Sequence, residues 1–80
     1  MPRLKTLATL NCRGLYKQEI LAFAEKYKGY FIGIHFDLEC DREFDDGWYE
    51  YSTSKESVYN EMIERITRSD CSIFSITVYH

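Results

Sequence analysis

Between residues 30 and 44 the chain alternates with a period of two. Tyr30, Ile32, Ile34, Phe36, Leu38, Cys40 and Phe44 fall on one side; Asp37, Glu39, Asp41 and Glu43 fall on the other. Arg42 alone interrupts the apolar row. A helix cannot hold this pattern, because its side chains recur about every 3.6 residues rather than every two. The segment must be a strand with one wet face. Asp45-Asp46-Gly47 then offers a three-residue hairpin loop with glycine where the backbone needs a positive φ. Folding back there pairs Phe44 with Trp48, Arg42 with Glu50 and Cys40 with Ser52. A cation would meet a carboxylate and two aromatics would meet beside the turn, so the expectation is a long twisted hairpin over residues 30–53.

Two helices flank that hairpin. Over residues 15–28, Tyr16, Ile20, Phe23, Ala24 and Tyr27 recur on one helical face, with Lys17, Glu25 and Lys28 elsewhere. Lys26 and Lys28 suit the negative end of the helix dipole, and Gly29 is placed to close the helix. Thr53-Ser54-Lys55-Glu56 reads as a capping box, with Thr53 as N-cap. The helix it opens sets Tyr59, Met62, Ile63 and Ile66 on one face. Residues 4–11 and 72–80 alternate as a first and a last strand, the last burying Phe74, Ile76 and Val78.

The element order is therefore β-α-β-β-α-β, an α+β domain spanning residues 1–80. A four-stranded antiparallel sheet would carry both helices on one face. Two sheet orders satisfy right-handed crossovers: the open-faced sandwich of small phosphocarrier proteins and the ferredoxin-like order. The last strand is internal in the first and at an edge in the second. In either, the first and last strands are neighbours, which would bring Cys12 near Cys71. Either also leaves one sheet face without helices, and Phe31 and Tyr79 have the parity of that face.

Composition narrows the function. Seven Tyr, five Phe and one Trp in 80 residues exceed what one small core can hide. Tyr16, Phe23, Tyr27, Phe36, Tyr59 and Phe74 have core positions; the remainder, Tyr30 apart, concentrate on the hairpin and the bare face. The net charge of −3 argues against direct nucleic-acid binding by phosphate neutralisation. That charge is polarised. Arg3, Lys5, Arg13 and Lys17 make a basic end, whereas residues 37–50 hold seven acids against Arg42 alone. Three cysteines without CxxC spacing, no signal-peptide pattern and no apolar run of membrane-spanning length point to a cytoplasmic chain.

Part of the chain resembles the phosphocarrier HPr family. The carrying residues are Gly14-Leu15-Tyr16-Lys17-Gln18-Glu19, then Phe23, Ala24, Tyr27 and Ile32-Gly33-Ile34. Ser54-Lys55-Glu56-Ser57, followed by Val58 and Met62, is similar to the family's second helix, whose N-terminal serine is phosphorylated in some bacteria. The resemblance implies an open-faced sandwich, with Ser57 as the matching regulatory serine. Tyr16 stands at the phosphoacceptor His position, Gln18 at the Arg position and Glu19 at the Pro position. The third family helix has no counterpart here, and the central hairpin is longer than the family norm. A phenol does not replace an imidazole as a phosphoryl acceptor at neutral pH, so the resemblance implies a regulator and not a carrier.

No catalytic constellation emerges from the residues. His35 reads as a surface strand histidine, and Arg13 is the one neighbour that could activate the Cys12 thiol. Alternating carboxylates on a strand are too spread to wrap one metal ion, and the EF-hand pattern is not met. Gly14 ahead of a helix could hold an anion weakly. No cofactor or metal is expected. The sharper reading joins Asp37, Glu39, Asp41, Glu43, Asp45 and Asp46 to Trp48, Tyr49 and Tyr51. In the register above, the two tyrosines lie opposite Glu43 and Asp41 and share the carboxylate face. Tyrosine among carboxylates suits a protein partner with a basic surface. The expectation is a small non-catalytic protein-binding regulator, with a homodimer through the bare sheet face as a further possibility for its assembly. The alternatives are an acidic inhibitor that mimics nucleic acid and a ferredoxin-like small-ligand or enzyme domain.

Overall fold

The computed structural model describes residues 5–36, 48–68 and 73–80. Element order follows the sequence expectation: β1 Thr6–Asn11, α1 Lys17–Lys26, β2 Phe31–Phe36, β3 Trp48–Ser52, α2 Glu56–Arg68 and β4 Ile73–Tyr79. The strands form one antiparallel sheet in the order β1-β4-β2-β3. β4 is internal, as in the open-faced sandwich; the ferredoxin-like order, with β4 at an edge, is ruled out.

Alternation decides which side is buried. Ile32, Ile34 and Phe36 of β2 and Ile76 and Val78 of β4 have no exposed surface, and they pack with Ile20 and Ala24 of α1 and Met62 and Ile66 of α2. Two lysines tie the helix pair at opposite ends. Lys17 Nζ donates to the Thr67 carbonyl at 3.0 Å, near the C-terminus of α2. Lys28 Nζ lies 3.0 Å from Glu56 at the start of that helix and 4.6 Å from the Tyr59 ring.

Four expectations are corrected. The first is the hairpin register. Trp48 pairs with His35, Glu50 with Gly33 and Ser52 with Phe31, in place of Phe44, Arg42 and Cys40. The partner of Trp48 moves nine residues along the chain. An odd shift exchanges the faces of β3, so Tyr49 and Tyr51 join Ile34 and Ile32 on the helix side and Trp48 joins His35 on the other. The apolar row expected beyond Phe36 and the Asp45-Asp46-Gly47 turn lie outside the described residues.

The second concerns Phe74. A register irregularity sets Phe36 opposite Ile73 and His35 opposite Ser75, so Phe74 is the extra residue of a bulge. Ile73 takes the core position, and Phe74 lies against His35 on the opposite face. The third concerns Tyr16, which stands at the N-cap of α1 with 76% of its surface exposed and is not a core residue. The fourth concerns Thr53. It is buried and does not cap α2, which starts three residues later. Its hydroxyl accepts from Gly29 N–H at 2.9 Å and donates to the Tyr30 carbonyl. The hydroxyl thereby closes the turn leaving α1, where Gly29 adopts φ +103°.

Candidate functional site

The sheet face opposite the helices collects the side chains that the core alternation leaves over. Phe31 pairs with Tyr79 across β2 and β4, with their rings edge to face at 6.1 Å. Gly33, two residues on, has no side chain to place there. The Trp48 indole occupies that space: a Cβ at position 33 would lie 2.3 Å from its Cζ2 and 2.6 Å from its Cη2. The ring therefore lies against the Gly33 backbone, which explains a glycine inside an apolar strand. Beyond it His35 contacts Trp48 at 6.3 Å and Phe74 at 5.3 Å, and the Arg13 guanidinium sits 5.1 Å over the Phe74 ring. Phe31, His35, Trp48, Phe74 and Tyr79 are all half-buried. The face is a set of rings in mutual contact, with Ser75 and Thr77 of β4 between them.

Among the expected partner-binding residues, Trp48 belongs to this face. Tyr51 does not, because it is 6% exposed and packed in the core. Tyr49 is half-buried on the helix side, stacked with Tyr51 and covered by the Arg65 guanidinium at 5.2 Å. The cross-strand partners of Tyr49 and Tyr51 are Ile34 and Ile32, in place of Glu43 and Asp41. Asp37, Glu39, Asp41, Glu43, Asp45 and Asp46 lie outside the described residues, as do Cys40 and Cys71. Ser57 is exposed in the first turn of α2.

His35, Phe74 and Arg13 were not expected at one site. Gly33 was the available signal, since an interior strand glycine marks close approach of another group.

The surroundings of the other candidate groups disfavour them. Burial pushes the Cys12 thiol up to about 11 despite Arg13 next in sequence, so the thiol is protonated at neutral pH and a poor nucleophile. The start of α1 is already served by a carboxylate. Glu19 accepts from the Tyr16 N–H at 2.9 Å, which opposes a second anion beside Gly14. Among the described residues, no three His, Cys, Asp or Glu side chains gather as metal ligands, and no helix is long and apolar enough to cross a membrane. Half-buried rings in mutual contact, with a guanidinium over one of them, suit contact with another surface. No protein-family model matches the chain, and no curated protein and no solved structure is significantly similar to it.

Proposed function

We propose that this chain is a small cytoplasmic, non-catalytic regulator that works by binding another protein through the helix-free face of its sheet. The observation that carries the reading is the ring cluster of Phe31, Tyr79, Trp48, His35 and Phe74, gathered on the sheet face opposite the two described helices. Aromatic rings with restrained rotamers bury large area at small entropic cost, the property found in interface anchors. Charge favours a basic partner: the six carboxylates from Asp37 to Asp46 lie just before Gly47 and Trp48 in the sequence. The HPr resemblance supports a regulatory role without phosphoryl transfer, with Ser57 as the hydroxyl to be modified. A phosphate there would lie in the first turn of α2, where the helix dipole favours negative charge.

The test is affinity capture from the native host with the wild-type chain and two variants. Phe31→Ser with Tyr79→Ser is expected to lose a protein that the wild type retains. Neutralising Asp41, Glu43, Asp45 and Asp46 together is expected to weaken retention and remove its salt dependence. If capture survives the face variant and is abolished by the neutralised one, the acidic mimic of nucleic acid replaces this reading.

A further inference from the structure

The sheet order leaves β1 at an edge, and no described segment lies along its outer side. Sheet edges are ordinarily guarded by charge, proline or a bulge, because their unpaired N–H and C=O groups recruit other strands. β3, the opposite edge, carries Glu50 at its centre. β1 has no charge and no proline from Thr6 to Asn11, and its one irregularity is confined to Leu7, between Thr6 and Ala8. The ladder gives the direction of its backbone groups. Cys12 N–H donates to the Phe74 carbonyl of β4, so the alternation of an antiparallel pair turns the N–H and C=O of Thr9 and Asn11 away from β4.

Charge stands at both ends of this open edge and has one sign. Lys5 precedes the strand, held by paired backbone hydrogen bonds with His80, and Arg13 follows it; both are exposed. We infer that β1 accepts an extended acidic segment of another protein as a fifth strand, with its backbone on Thr9 and Asn11 and its terminal carboxylates on Lys5 and Arg13. The six-residue strand between those cations, Thr6 to Asn11, spans about 20 Å, which sets the length the segment must match. Ala8 and Leu10, half-buried on the helix side, would be covered by every second side chain of the added strand. A second copy fits less well. Two antiparallel β1 strands centred on Thr9 would set Lys5 of each against Arg13 of the other, and like charges directly opposite destabilise a pair.

The probe is a synthetic peptide of alternating valine and threonine, closed at each end by glutamates and long enough to span Lys5 to Arg13. Its control carries lysines in place of the glutamates. Saturating acidic peptide is expected to slow hydrogen exchange at the amides of Thr9 and Asn11. Thr9→Pro removes an outward N–H at an edge-strand site where proline is tolerated, and is expected to abolish binding. Lys5→Glu with Arg13→Glu is expected to weaken binding at least about tenfold. Should Thr9→Pro not fold, amide exchange in the wild type and the charge-reversed variant still decide the matter. Phe31→Ser with Tyr79→Ser should leave peptide binding intact, which separates this edge from the aromatic face. Unchanged exchange at Thr9 and Asn11, equal binding of the lysine peptide, or a dimer that protects the same amides overturns the inference.

Discussion

Gly33 and Trp48 act as one unit. With 2.3 Å between a prospective Cβ and the indole, Gly33→Ala must displace the ring, and it is expected to cost about 1–3 kcal/mol of stability. Tryptophan fluorescence should report the displacement, and denaturant titration the loss. In a Trp48→Ala background the same change should be nearly neutral, because the clash partner is gone. Thr53 is a second strong point. Thr53→Val keeps the shape but leaves the Gly29 N–H and Tyr30 carbonyl without their hydroxyl, an expected loss of about 1–3 kcal/mol that Thr53→Ser should largely avoid. Cys12 makes stability depend on pH. Its thiol ionises near 9.0 in the unfolded chain and near 11 in the fold, so the folded state holds the proton more tightly. Stability is therefore full below pH 9 and falls as pH rises toward 11, by about 2–3 kcal/mol in total. Subtracting the profile of Cys12→Ala isolates this contribution from the other cysteines.

At the scale of elements, packing of α2 carries more free energy than the ion pairs that decorate it. Met62 and Ile66 have no exposed surface, so Met62→Ala is expected to lose about 2–5 kcal/mol in thermal or urea unfolding. Arg68 and Glu64 pair at 2.7 Å in the last turns of the same helix, yet both are well exposed, and Glu64→Gln should change stability by less than about 0.5 kcal/mol. The hairpin shows where reading by element fails. A three-residue turn at Asp45-Asp46-Gly47 satisfied local rules for turn residues and cross-strand charge. The register found instead buries Tyr51 and seats Trp48 on Gly33, two gains visible only when the helices and the far strands are present. Phe74 failed likewise: nothing local marks the bulge that gives its core position to Ile73.

For the whole molecule, both described helices pack on one sheet face, and the sheet order leaves at an edge a strand, β1, that carries no charge. The aromatic face is expected to bind a protein and the β1 edge an acidic strand, with Arg13 bordering both. Phe31→Ser with Tyr79→Ser touches rings whose loss leaves the opposite core intact, so a well-folded protein with lost partner capture is the expected result. Circular dichroism and amide exchange of β4 would verify the fold.

The sequence alone determined element order, the fold class and the inward faces of β2 and α2, because each is written in a local period that burial enforces residue by residue. It also showed that the aromatics were too many for the core. Which of them lie outside it was decided by tertiary structure: strand register depends on the total area that β3 and β4 bury against distant partners. Local pairing of Arg42 with Glu50 is worth far less than burying Tyr51, so the nonlocal packing prevails and moves Trp48 to the open face.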